Sequence, residues 1–292
     1  MPVAARVFRG TPAKQARRAQ ATHGEESASH QLVIKDPALR GVALFNSCSA
    51  LIHKNVAVVL AFLLCASLSY AAQEPVQEES GCWGIASQLP HTAFWFGHGL
   101  LTVPRNAIRP RNLAWELPVA AATGLLIGTG ADTHINNHIL SPSFVRDSAR
   151  GSNVGLGIEL GAAGLMYLGG CAKHHSYAAN TGFKALEAAG AADLLAGVIK
   201  VSTNRQYAYH TTPEGEFWEG GRSFPSGHAA TSFAIASVIA HRYPHNYWIK
   251  VGVYSLATGV SLARVTGKKH FASDILVGGT LGYVTGTYLA SH

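Results

Sequence analysis

Residues 225–240 read PSGHAATSFAIASVIA, and residues 263–280 read ARVTGKKHFASDILVGGT. Each joins a short polar turn to an apolar run dominated by small, helix-forming side chains. Ala229 to Ala240 is alanine-rich and therefore predicts a helix, with Pro225-Ser226-Gly227 as its start signal. Working outward, apolar segments bounded by turn or cap residues recur at 113–131, 153–170, 180–203, 228–243, 249–264 and 271–290. No segment alternates in the manner of a strand, and no repeat of fixed period is present. The expected fold is an all-α bundle of about six helices. Small-residue spacing such as Gly157, Gly161 and Gly164 predicts close approach of neighbouring helix backbones.

Composition narrows the setting. Of 292 residues, 48% are hydrophobic and only 13% charged, about half the usual share for a soluble protein. That deficit, with 31 glycines, fits closely packed helices in a membrane or an unusually apolar bundle. The uncharged runs are mostly 15 to 18 residues, slightly short of the roughly 20 needed to cross a bilayer. Glu116, Glu159, Glu187 and Asp193 interrupt four of the faces, so the relation to the bilayer stays open. The net charge of +7 does not imply nucleic acid. Residues 1–54 hold eight Lys/Arg against Glu25, Glu26 and Asp36, which places most of the surplus there.

That region has its own reading. Lys54, the apolar stretch Val56 to Leu64 and the small residues around Ala71-Ala72 make a signal peptide over 53–72, or alternatively an uncleaved anchor. Residues 1–52 are then a basic extension, disordered or not translated, with the true start downstream of Met1. Residues 73–112 form a linker followed by an amphipathic segment carrying Phe94, Trp95 and Phe96 among prolines and arginines. Removing the signal leaves Cys82 and Cys171. In an oxidising compartment these two either pair or remain separate buried thiols. The expected location is the cell envelope, at its periplasmic face.

The polar turns carry the chemistry. His270 and Asp274 lie four apart at the start of a helical pattern, so they share a face and the carboxylate can hold one imidazole N–H. The other ring nitrogen then keeps its lone pair, which makes a nucleophile toward phosphorus. Arg264 is carried to the same place by the Gly267-Lys268-Lys269 turn, and its planar fork matches phosphate oxygens. Gly227 lets backbone approach a ligand, and the first-turn N–H groups beside it form an anion site. Ser226 either caps this helix or donates its hydroxyl to a phosphate oxygen. His228, just past the cradle, is placed to protonate a departing alkoxide.

Taken together, Lys200 to Asp274 resembles the type 2 phosphatidic acid phosphatase and vanadium haloperoxidase superfamily. Its three motifs are Lys-x6-Arg-Pro, Pro-Ser-Gly-His and Ser-Arg-x5-His-x3-Asp. The second is complete here, and the third is present from Ala263-Arg264 to Asp274, with Ala263 where the family has Ser. The first departs: Lys200 fits, but Tyr207 and Ala208 stand where Arg-Pro is expected, and Arg205 comes two places early. Arg205 or Arg222 is the expected substitute. The resemblance implies a phosphatase-like helical domain over 113–292 and a metal-independent two-step displacement with no cofactor. His270 would form a phosphohistidine oriented by Asp274, His228 would serve as acid and base, and Lys200, Arg264, Ser226 and Gly227 would hold phosphoryl oxygens. The expected partners are a phosphorylated lipid or other phosphoester and a membrane, without nucleic acid. A soluble periplasmic acid phosphatase, a vanadate-dependent haloperoxidase and a non-catalytic relative are the alternatives. His134 and His138, near Asp132, and His174-His175 are expected to be surface or loop residues rather than metal ligands.

Overall fold

A computed structural model describes residues 110–138, 140–209 and 215–291, with side chains from Ala114 onward. The expected signal peptide, the linker and amphipathic segment 73–112 up to its last residues, and Cys48, Cys65 and Cys82 lie outside the described residues. Seven helices and no strand occur among the described residues: α1 Pro110–Gly128, α2 Ala131–Asn137, α3 Pro142–Ala172, α4 Ser176–Thr203, α5 Gly227–Arg242, α6 Tyr247–Thr266 and α7 Ala272–Ser291. The six expected apolar runs are α1 and α3 to α7. The seventh, α2, is a short polar helix that periodicity does not predict.

Caps set the helix ends. Ser141 accepts from the Phe144 N–H with Pro142 in the first turn of α3, and Asn246 accepts from Ile249 at the start of α6. Asn204 ends α4 in the left-handed region at φ 41° and sends the chain back toward the helix.

Helix α5 packs against α3, α4, α6 and α7, and α7 also packs against α1 and α4. Alanine is the commonest residue of the interior between them, with Ala188, Ala192, Ala196, Ala230 and Ala234 buried beside Phe224, Leu281 and Tyr288. Side chains this small allow backbones to touch. A Cβ on Gly278 would stand 2.4 Å from the Ser226 carbonyl, on Gly282 2.1 Å from that of Ala230, and on Gly286 2.3 Å from that of Ala234. One glycine per turn of α7 thus seats it directly on α5. The stripe expected at Gly157, Gly161 and Gly164 is corrected, because nothing lies within 4 Å of a Cβ built at any of them.

That stripe instead lies on an outward face. Val154, Ile158, Leu165 and Leu168 of α3 are exposed, as are Leu194, Val198 and Val201 of α4. Among the described residues, α3 is the one helix long and apolar enough to cross a membrane. Cys171, at its end, is disulfide-bonded.

Candidate active site

Four stretches converge on one cavity of about 340 Å³. The last turns of α4 bring Asp193 and Lys200. The α4–α5 connection brings Tyr207, Tyr209 and Arg222, the first turn of α5 brings Gly227 and His228, and the end of α6 with the turn after it brings Arg264, Lys269 and His270. The sequence reading therefore places Lys200, Arg222, Gly227, His228, Arg264 and His270 together. Asp193, Lys269, Tyr207 and Tyr209 join them without having been expected there. The two tyrosine rings stack at 4.9 Å, and the Lys269 ammonium lies 5.3 Å from the Tyr209 ring centre.

His270 is oriented by two groups. Its Nδ1 lies 2.8 Å from the Ser223 carbonyl oxygen and 3.4 Å from Asp274 Oδ2. A carbonyl can only accept, so Nδ1 carries the proton and the neutral ring keeps its lone pair on Nε2. Asp274 in turn accepts from the Ser223 hydroxyl at 2.5 Å and from the Phe271 N–H at 2.9 Å. It thus holds the imidazole directly at ion-pair distance and also holds the residue whose carbonyl fixes it. Burial disfavours charge on both groups. For Asp274 the Arg205 guanidinium, His270 and Ser223 outweigh burial and hold its carboxyl below the usual range. For His270 burial prevails over the nearby carboxylate and lowers the pKa, which keeps the ring neutral.

The expectation that Arg205 contacts phosphate is corrected. Its side chain is buried and does not line the cavity. Nε donates to the Gly215 carbonyl, Nη1 to Ser273 Oγ at 2.7 Å and to Asp274 Oδ1, and Nη2 to Asp132 Oδ2 at 2.9 Å. The faces of Phe217 and Phe271 flank the guanidinium, at 5.0 and 4.3 Å from its carbon. Asp132 is accordingly no surface residue. From α2 it also accepts the Ser273 N–H at 2.9 Å, capping the start of α7 from a distant part of the chain. Backbone pairing fixes the Arg205 loop, since Ser223 N–H donates to the Arg205 carbonyl and a Cβ on Gly221 would lie 2.1 Å from that oxygen.

Ser226 takes one of its two expected parts. It is fully buried and its Oγ accepts the Ala229 N–H, so of its two expected roles the structure carries capping. Lys200 donates to the carbonyls of Arg222 and Pro225, which ties the cavity wall to α4. Burial lowers its pKa, against the opposing pull of Asp274 and Asp193.

His228 Nε2 lies 2.9 Å from Asn153 Oδ1, and the same oxygen accepts from Arg264 Nη1 at 3.2 Å. Arg264 Nη1 also donates to Ser152 Oγ, while its buried Nε has no protein partner. Both α3 residues escaped the sequence reading, which offered nothing to connect them with positions over 70 residues away. Burial, followed by the charges of Arg264, His270 and Lys200, pushes the His228 pKa down to about 4. Its ring is therefore neutral at pH 7 while no anion is bound.

Residues 181–291 match the model of the PAP2 superfamily. A stretch of 65 residues is 37% identical to the lipid A 1-phosphatase of Porphyromonas gingivalis, covering 22% of this chain and 15% of that protein's length. The crystal structure described as the first transmembrane PAP2 type phosphatidylglycerolphosphate phosphatase, from Bacillus subtilis, is 22% identical. It superposes over 59% of this chain and 89% of its own with a TM-score of 0.43. Every residue lining the cavity falls inside the matched stretch, whereas Asp132, Ser152 and Asn153 fall outside it. The part of the chain that builds this cavity is thus similar to the PAP2 superfamily over residues 181–291.

Proposed function

We propose that this chain is a metal-independent phosphoric monoester hydrolase that releases phosphate from a lipid at the cell envelope, through a phosphohistidine on His270. One observation carries the reading: two imidazoles and the cationic side chains of Lys200, Arg222, Arg264 and Lys269 surround one cavity, with His270 Nδ1 engaged and Nε2 left as the nucleophilic nitrogen. In the first step Nε2 attacks phosphorus, the bond from phosphorus to the ester oxygen breaks, and the leaving alkoxide takes a proton from His228. In the second, His228 removes a proton from water, the water oxygen attacks phosphorus, and the N–P bond breaks to free inorganic phosphate. The four cations and the Gly227 N–H neutralise charge on the phosphoryl oxygens, the task a metal ion performs elsewhere.

His228 needs its second proton at the right moment. Burial first, and then Arg264 and Lys200, hold the ring neutral in the empty cavity, whereas an arriving phosphate offsets those two cations and raises the ring's affinity for a proton. Substrate binding itself thereby loads the acid.

An amphiphilic substrate is supported by the exposed apolar faces of α3 and α4 and by the length of α3. It is also supported by an apolar groove of about 480 Å³ between α1, α5, α6 and α7, lined by Trp115, Phe233, Leu262 and Tyr283 among others. Leu262 lies two residues before Arg264. The disulfide at Cys171 supports an oxidising, periplasm-facing location. The test is phosphate release from phosphatidate and from a water-soluble aryl phosphate, with and without detergent and chelator. The expected outcome is chelator-resistant release that favours the amphiphile and is abolished in His270→Ala. Release from neither substrate, or undiminished release in His270→Ala, would overturn the proposal.

A further inference from the structure

A second hollow, of about 590 Å³, lies between α3 and the α6–α7 turn. Its charged walls are Arg146, Arg150, Lys268 and Lys269, and no carboxylate lines it. Asp147 stands beside Arg150 at 4.0 Å, but both side chains are largely exposed and the pair is weak. Arg146 and Arg150 are four apart on α3 and share a face, with Asn153 one turn further on. The two lysines are presented by a constrained turn. Gly267 meets α3 so closely that a Cβ there would lie 2.9 Å from the Ala149 nitrogen, and Lys268 takes a left-handed φ of 51°. A non-glycine residue in that region costs on the order of 1 kcal/mol or more. Four like charges around one hollow, with no carboxylate in its lining, give an anion a favourable site.

The hollow shares a wall with the reaction cavity. Lys269 lines both, and Asn153 lines the second while its Oδ1 bonds His228 and Arg264 of the first.

We propose that this hollow is a second anion subsite, and that the substrate is an amphiphile carrying a second phosphate one side chain's breadth from the phosphate that is removed. The second phosphate sits among Arg146, Arg150 and Lys268, and Lys269 bridges the two groups. The inference rests on reading the first cavity as the phosphate-cleaving site.

Its test compares hexadecyl monophosphate with a matched hexadecyl glycerol bisphosphate, in neutral detergent micelles, for the full chain and for Arg146→Ala/Arg150→Ala. Neither arginine lines the reaction cavity. The expected result is a tenfold or greater rise in KM for the bisphosphate, with the monophosphate changed less than twofold and most of the loss rescued by Arg146→Lys/Arg150→Lys. Equal effects on both substrates, or none on either, would overturn the subsite. A loss seen on both substrates in anionic vesicles but not in neutral micelles would instead make the hollow a membrane-surface contact, which also overturns it. If the full chain cleaves neither compound, the cleavage reading fails separately, and pyrophosphate binding by calorimetry then decides the subsite. Binding by the full chain that is lost in the double alanine variant supports it, and binding unchanged by that variant refutes it.

Discussion

Arg205 Nη1 and Asp274 Oδ1 lie 2.5 Å apart, with neither side chain reached by solvent. The same guanidinium reaches Asp132 through Nη2 at 2.9 Å, so one cation neutralises two buried carboxylates from α2 and α7. Asp274 is the residue that steadies both His270 and Ser223. Arg205 is thus a positioning residue, acting on the imidazole through a carboxylate.

Arg205→Ala leaves two carboxylates buried and unpaired, and the expected cost is about 3–5 kcal/mol of folding stability. Chemical denaturation measures it. Arg205→Lys keeps a charge but loses the fork that serves Asp132 and Asp274 together. That variant is expected to fold, to keep its KM within about threefold and to lose kcat. A KM rise with kcat unchanged would show that Arg205 meets phosphate after all.

Arg222 is expected to behave in the opposite way. It lines the cavity, and Arg222→Ala should lower kcat/KM by roughly 10²-fold or more while unfolding shifts little, in line with the loss of one donor to the transferring group. Stability and steady-state kinetics on one preparation separate the two arginines.

His228 should titrate near pH 4 by ring NMR, well below the ordinary imidazole range. The sign for stability follows. Between that value and about 6.5 the unfolded chain binds a proton that the folded one does not, so His228 favours folding above this window and the benefit is lost as pH falls through it. Inorganic phosphate or vanadate should move the midpoint upward by offsetting Arg264 and Lys200. A midpoint near 6.5 that ignores added anion would contradict the proposed loading of the acid.

Gly282→Ala tests the helix contact on which the cavity rests. The added methyl would lie 2.1 Å from the Ala230 carbonyl with only backbone to yield, so a loss of about 1–3 kcal/mol or more is expected. Gly161→Ala, with open space around it, should be neutral or slightly stabilising.

Much of this molecule could be read from the chain. The six long helices follow from apolar runs closed by Ser, Asn and Gly, because burial of a small-residue face and a capped end are both local properties. His228, His270, Arg264 and Lys200 were legible because their motifs fix them within a turn of a helix end. Asp132 was not, because α2 has only seven residues and its aspartate gains meaning solely from a partner 73 positions away. Asn153 sits on an otherwise apolar helix, where one amide looks like a solvated interruption. Arg205 and Arg222 were indistinguishable as letters, and only the fold of the α4–α5 connection turns one inward to carboxylates and the other to the cavity. Gly157 and Gly161 of α3 have the same four-residue spacing as Gly278, Gly282 and Gly286 of α7, and what separates them is that only the α7 set faces the α5 backbone.

The most direct measurement is capture of the covalent intermediate. The chain is mixed with phosphate-labelled substrate, quenched in milliseconds under alkaline conditions that preserve phosphoramidates, and digested for mass spectrometry. The account predicts label on His270 that forms and decays at rates compatible with turnover and is absent from His270→Ala. Turnover without any labelled histidine, or label on His228 in place of His270, would contradict it.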